Sequence, residues 1–351
     1  MKNTAGSVPT FAWPLFLVIA ALAILMLSVE QPELKVETPL PPQLYSSSFQ
    51  LLATGNRLGT YYPAGHILVD WFNRNLEGTE EIFRAIETNG SIDNISLLKK
   101  RMVALAMVES RIVQEACRAE PGADLQLVWP LWPDVVQLVK APELASASLS
   151  ELNSGFFGQL NSSTFRTTEE IFSSFNLQPL RSNVSPDQVL GELASGRIKF
   201  AMIQAGIPNR TVSDALIFHG CSLVDFDEAL QNSLLPKISS AMPVMISAGY
   251  YGEKQPAVRT FGIPNMLVAT GKTSSATIEL ICELISKSSS TLNIRHQAFA
   301  QVPSDLQQAL KVMQETGVPI HPGTLAWLSR QNILPGVIAS ETAPVEEQKK
   351  Q

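Results

Sequence analysis

Three short segments of this chain place glycine, hydroxyl and amide residues where strand-like sequence gives way to helix-like sequence. They are Thr54-Gly-Asn-Arg-Leu-Gly-Thr-Tyr-Tyr-Pro63, Glu87-Thr-Asn-Gly-Ser-Ile-Asp-Asn94 and Val108-Glu-Ser-Arg111. In the first, Gly55 and Gly59 permit a tight turn and a close approach of backbone to ligand. The helix that follows offers unpaired N–H groups at its positive dipole end, and Thr60 adds a hydroxyl. Such a loop can hold a carboxylate, although an ordinary strand-to-helix turn uses the same residue types. Three polar strand ends in succession weigh more than one. Arg57 and Arg111 suit bidentate contact with a dianionic or bulkier acid, and equally suit the solvated surface. Of Tyr61 and Tyr62, one is expected to pack as an aromatic anchor at the helix start, leaving the other to cap a ligand. His321, before Pro322-Gly323, reads as structural.

Catalytic signatures are missing. The chain has no Gly-x-Ser-x-Gly, no complete Walker-type phosphate loop, no His-Glu-x-x-His and no Cys/His cluster, and its four histidines are scattered. The reading is therefore a binding protein and not an enzyme, with no cofactor and no metal. A formal charge of −6 without a basic block argues against nucleic acid, which needs cations to displace its counterions. Cys117, Cys221 and Cys282 are an odd number, so they cannot complete a disulfide framework and read as buried, inert thiols.

The elements that must position these loops alternate between strand and helix, the pattern of parallel sheets with crossover helices. Strands are expected at Phe49–Ala53, Phe83–Thr88, Val103–Val108, Gly155–Gln159 and Phe200–Gln204. Helices are expected at Ala64–Asn75, Ile92–Lys100, Ser110–Arg118, Thr167–Phe175 and Pro186–Ser195. Two such arrays imply an α/β chain of two lobes with a cleft between them, lobe 1 covering 49–136, lobe 2 covering 137–245, and 246–334 returning to lobe 1. The crossings are expected at Asp134–Ala141 and Ala241–Ala248, both apolar and extended. Ligands of open α/β sheets bind beyond the carboxyl ends of the strands.

Ahead of this unit, residues 11–29 carry no charge and are just long enough for a membrane-spanning helix in the lipid bilayer. Lys2 precedes them and Glu30, Glu33 and Glu37 follow, which puts the bulk of the chain outside the cytoplasm. Ala21-Leu-Ala23 keeps signal cleavage, and hence a soluble periplasmic product, as the alternative. Residues 30–48 read as a Pro-rich spacer and 335–351 as a flexible tail.

Four motifs in order, Gly59-Thr-Tyr-Tyr-Pro63, Thr88-Asn-Gly-Ser-Ile-Asp-Asn94, Ala205-Gly-Ile-Pro-Asn209 and Pro319-Ile-His-Pro-Gly323, give residues 49–330 a resemblance to the TAXI family, the solute-binding receptors of TRAP-type transporters. The resemblance implies a periplasmic binding protein type II (Venus-flytrap) fold. It implies a receptor that closes on a small anionic solute, an organic acid or an amino acid such as a glutamate-like or oxo-acid, and delivers it to a TRAP-type membrane permease. By similarity the ligand-binding residues are Thr60, Tyr61, Asn89, Gly90, Ser91, Glu109 and Ser110 from lobe 1, with Arg57 and Arg111 as additional candidates. Lobe 2 would contribute Ser162, Ser163, Thr164, Gln204, Gly206 and Pro208. The chain departs from the family pattern at Ser163, where a second glycine is usual, at Asn56-Arg-Leu58 in the first loop, and at Glu109-Ser-Arg111, where Gln-Ser-Asp is common. Those departures keep open a membrane-tethered binding domain diverted to sensing or assembly.

Overall fold

The computed structural model describes residues 49–75, 81–160 and 162–334. The expected membrane segment at 11–29, the spacer at 30–48 and the tail at 335–351 lie outside the described residues. Among the described residues no helix is long and apolar enough to cross a membrane.

The described residues open with β1 (Phe49–Ala53), α1 (Tyr61–Asn75), β2 (Ile82–Ile86), α2 (Ser91–Lys99), β3 (Leu105–Glu109) and α3 (Ser110–Ala119). The strands β1, β2 and β3 are parallel, with β1 between the other two. Helix α1 starts three residues earlier than its apolar periodicity suggests. Pro63 is tolerated there because first-turn N–H groups have no partner inside a helix. The face bearing Ala64, Leu68 and Phe72 is fully buried, and each large apolar side chain so buried contributes about 1.5–3 kcal/mol.

Two long strands follow different rules. β4 (Leu125–Lys140) reads Leu-Gln-Leu-Val-Trp-Pro-Leu-Trp-Pro-Asp-Val-Val-Gln-Leu-Val-Lys, the near-continuous apolar run of a strand covered on both faces. After it come β5 (Ser154–Phe156), α4 (Ser163–Ser174), β6 (Leu180–Arg181), α5 (Val189–Ala194), β7 (Phe200–Ala205), α6 (Arg210–Phe218), β8 (Ser222–Leu223), α7 (Glu228–Leu234), β9 (Met242–Ile246) and β10 (Val258–Thr270). Among the described residues, the helices α8 (Ser275–Lys287), α9 (Ser289–Arg295), α10 (Leu306–Glu315) and α11 (Pro322–Arg330) come last.

The sheet runs β2-β1-β3-β10-β4-β7-β5-β6, with β8 added to β4 and β9 to β10. β10 is antiparallel to β3 through residues 265–269 and to β9 through 258–262, while β4 pairs with β10 along most of its length and with β7 through 135–140. β4 and β10 are thus shared by both halves of the sheet. Of the expected crossing Asp134–Ala141, residues 134–140 lie in β4. The segment Ala241–Ala248 instead contains the edge strand β9, and the second shared strand is β10, whose buried run Phe261–Ala269 sits between two neighbours. Pro133 faces Pro264 across the ladder, and the register shifts between Pro264 and Met266, so prolines occupy the irregular stretch where they remove least pairing.

The core divides accordingly. One cluster gathers Leu52, Leu68, Phe72, Trp129, Trp132, Leu267 and Trp327 around the first half of the sheet. In the second half, Val135 and Val139 face one cluster while Val136 and Leu138 face another, the two-residue alternation of a strand.

Candidate functional site

The loops after β1 and β2 face the starts of α4 and α6 across a cleft of about 160 Å³. Thr60, Tyr61, Gly90 and Ser91 line it from one side, and Ser162, Ser163, Thr164, Asn209 and Thr211 from the other. These residues stand at the N-termini of α1, α2, α4 and α6, so four positive dipole ends converge on one space. Local chemistry fixes the helix starts. Ser162 Oγ accepts the Phe165 N–H at 3.1 Å, and Asn209 Oδ1 accepts the Val212 N–H at 3.3 Å. Gly158 has φ of +99° and a Cβ there would lie 2.8 Å from that of Thr164, so only glycine lets the loop fold back onto α4. Leu58, Phe156, Pro186, Val189 and Met202 supply an apolar wall.

Beneath the cleft lies a buried polar layer. Glu109 Oε1 accepts from Arg111 Nε at 2.8 Å, and Oε2 accepts from Gln204 Nε2 at 2.6 Å. Arg111 also meets Glu170 at 2.5 Å and donates to Thr167 Oγ1 at 2.8 Å, so its guanidinium joins β3 to α4. Arg166 adds contacts to Glu115 on α3 and, at 3.0 Å, to Glu170. Thr60 Oγ1 donates to the Gly206 carbonyl at 3.0 Å. Burial pushes the Glu109 carboxyl above the usual carboxylate range, while Arg111, Gln204 and Ser163 pull it back.

Asp134, on β4, lines the cleft and is only 5% exposed. Its Oδ1 has no hydrogen-bond partner. Burial raises its pKa to about 8, opposed first by a hydrogen bond from Asn265; the negative Glu109 raises it further, and Tyr61 and the Gly206 N–H lower it. The Tyr61 hydroxyl donates to Asn265 Oδ1. Gln204 Oε1, also without a partner, belongs to a residue of the cleft lining.

Of the residues expected from sequence, Thr60, Tyr61, Asn89, Gly90, Ser91, Ser162, Ser163, Thr164 and Gln204 line this cleft. The others stand elsewhere. Glu109 and Ser110 are fully buried in the layer below. Gly206 packs against Trp132, where a Cβ would come within 2.6 Å of the indole, and Pro208 follows a cis peptide bond outside the lining. Arg57 is at the rim, paired with Glu87 at 2.6 Å. Arg111 is not a surface cation, because the carboxylates of Glu109 and Glu170 draw it into the interior, where it is 1% exposed. His321 is a cap: its Nδ1 accepts the Gly323 N–H at 3.1 Å at the start of α11. Asp134, Asn209 and Thr211 line the cleft without being among the ligand-binding residues expected from sequence. For Asp134 a signal existed, a carboxylate inside the apolar run Leu131-Trp-Pro-Asp-Val-Val136.

The mixed α/β sheet is the periplasmic-binding-protein-like fold. It is similar to that of MatC from Rhodopseudomonas palustris with bound malate, with 13% identity, 80% of this chain and 98% of that chain covered, and a TM-score of 0.52. It is also similar to a structure from Bordetella bronchiseptica RB50, with 9% identity, 81% and 98% covered, and a TM-score of 0.51. At these identities the likeness is one of fold. The family model described as NMT1-like matches residues 52–329, from β1 to α11, and the chain belongs to the NMT1-like family.

Proposed function

We propose that this chain is an extracytoplasmic solute-binding receptor that takes a small organic acid or amino acid into the cleft and delivers it to a membrane permease of the TRAP type. The convergence of four helix N-termini on one cleft carries this reading. Backbone N–H groups and hydroxyls hold a carboxylate without requiring the protein to bury a cation of its own. In this reading the two halves of the sheet are two lobes joined through β4 and β10. Residues 11–29 tether them to the membrane. The fold shared with MatC, whose structure holds malate, supports the solute class, and the TAXI-like motifs support the permease type. Holding, not chemistry, is what the groups of the cleft are suited to, as they present hydroxyls, amides and N–H donors around buried acids.

A thermal-shift screen of the full chain against organic acids, amino acids and sulfonates tests binding. A ligand at about 100 times its dissociation constant adds roughly 2.7 kcal/mol, a clear rise in melting temperature. Silence across the whole panel would sink the receptor reading. It would favour the second one, a tethered domain diverted to sensing or assembly, which gains support from the ion pairs of Arg111 and Arg166 that bind α3 to α4.

A further inference from the structure

The structure assigns to Arg111, Glu170 and Arg166 the role of a latch across the cleft, which holds the two halves of the sheet together through the chain's own charges and leaves each half a neutral ion pair when it releases. Its consequence, that solute entry waits on the latch, rests on the receptor reading above; its geometry does not. α3 buries Ile112 and Val113 in the core of the first half, and α4 buries Ile171 and Phe172 in a core of the second. Polar side chains join the two helices. Arg111 on α3 reaches Glu170 Oε2 at 2.5 Å and Thr167 Oγ1 at 2.8 Å, and Arg166 on α4 reaches back to Glu115 on α3. Gln114 on α3 accepts from Ser239 Oγ, which follows α7, at 3.1 Å.

The pairing pattern separates a latch from a permanent tie. Opening would take Arg111 away from α4, but Glu109, two residues before it on the same half, still holds its Nε at 2.8 Å. On the other half Arg166 keeps Glu170, one turn along the same helix, at 3.0 Å, and Thr167 Oγ1 keeps the Ser163 carbonyl at 3.0 Å. Gln204 would leave Glu109 Oε2 facing the opened cleft and water, and Glu115, already 36% exposed, would be solvated. No charge is stranded in an interior, so the heaviest cost of parting a buried ion pair does not arise. Closed, the enclosed guanidinium has two further partners from α4, and charge-assisted hydrogen bonds away from water are the strong ones. Glu170 is the keystone, because its two oxygens serve Arg111 and Arg166 at once.

Double electron–electron resonance on the full chain, with no solute added, tests the latch. Nitroxides are placed at exposed Arg118, near the end of α3, and at exposed Gln178, after α4, through a ketone-bearing residue that spares Cys117, Cys221 and Cys282. The wild-type chain should give mainly one separation, that of the structure. Glu170→Ala should add a longer one, at least about tenfold more populated than in the wild type. Glu115→Gln, which cuts only the half-exposed outer pair, should add less of it. A wild-type chain that is mostly open, or an unchanged distribution in Glu170→Ala, overturns the latch. If the Glu170→Ala chain does not fold, the wild-type separation and Glu115→Gln decide, and no longer separation in Glu115→Gln overturns it. For any acid that binds in the thermal-shift screen, Glu170→Ala should speed association by a similar factor, and an unchanged rate overturns the consequence for solute entry. Silence across that screen sinks the receptor reading alone, because the distances are read without a solute.

Discussion

Arg57 at the rim of the cleft and Arg111 beneath its floor meet carboxylates at nearly the same distance, 2.6 Å and 2.8 Å, yet the side chain of the first is 70% exposed and that of the second 1%. At the rim, water and salt screen the attraction to Glu87, and the pair can form or part with little consequence for the fold. At the floor the same chemistry is committed. Three groups, Glu109, Glu170 and Thr167, converge on one guanidinium, and removing it leaves an acid in the interior with nothing to balance it. A rim charge therefore contributes little to the fold, while Arg111 at the floor ties Glu109 of β3 to Glu170 of α4.

That contrast can be broken at the floor first. Arg111→Met should lower stability by about 3–5 kcal/mol in urea denaturation, and adding Glu109→Leu should restore part of the loss, because the orphaned charge and not the lost attraction dominates the cost. Recovery absent in the double variant would show that packing sets the penalty. Gly206→Ala comes next, with a loss of about 1–3 kcal/mol expected from the collision with Trp132 and Thr60.

Asp134 gives a pH signature of the floor. Its proton stays on to about pH 8 in the folded chain but leaves near 3.8 when exposed, so the folded state holds the extra proton between those values. Stability should then fall as pH rises through this window, with a slope of up to about 1.4 kcal/mol per pH unit. Denaturation curves of Asp134→Asn should show a flatter profile, with the remainder of the fall owed to Glu109, which is raised in the same direction. The carboxyls of Glu87 and Asp70 are lowered by surface arginines and contribute only at more acidic pH. The smallest effect belongs to Arg57→Ala, whose melting temperature should be indistinguishable from that of the unaltered chain; a clear drop would erase the distinction between rim and floor.

The sequence made the walls of the cleft legible because glycine, hydroxyl and helix start lie close together along the chain. Ser91 at the head of α2 and Thr60 before α1 could be placed without any tertiary information. Apolar periodicity starts α4 only at Thr167, whereas Ser162 caps a helix that begins four residues before that, at Ser163. The floor was hidden for a different reason. Asp134, Asn265 and Gln204 come from β4, β10 and β7, and only the pairing of β4 with both other strands brings them together. Arg111 illustrates the same limit, since its fate depends on Glu170, fifty-nine positions away. What could have been noticed locally was the cost of a carboxylate within an apolar strand, a cost rarely carried without a purpose.

Pro133 and Pro264 face one another where β4 and β10 pass between the halves of the sheet. Neither nitrogen carries a hydrogen, so the ladder at that level has no bond of theirs to give up. In the receptor reading proposed above, this is the level at which the sheet would bend at least cost, so that closure on a solute would turn its two halves about the Pro133–Pro264 pair.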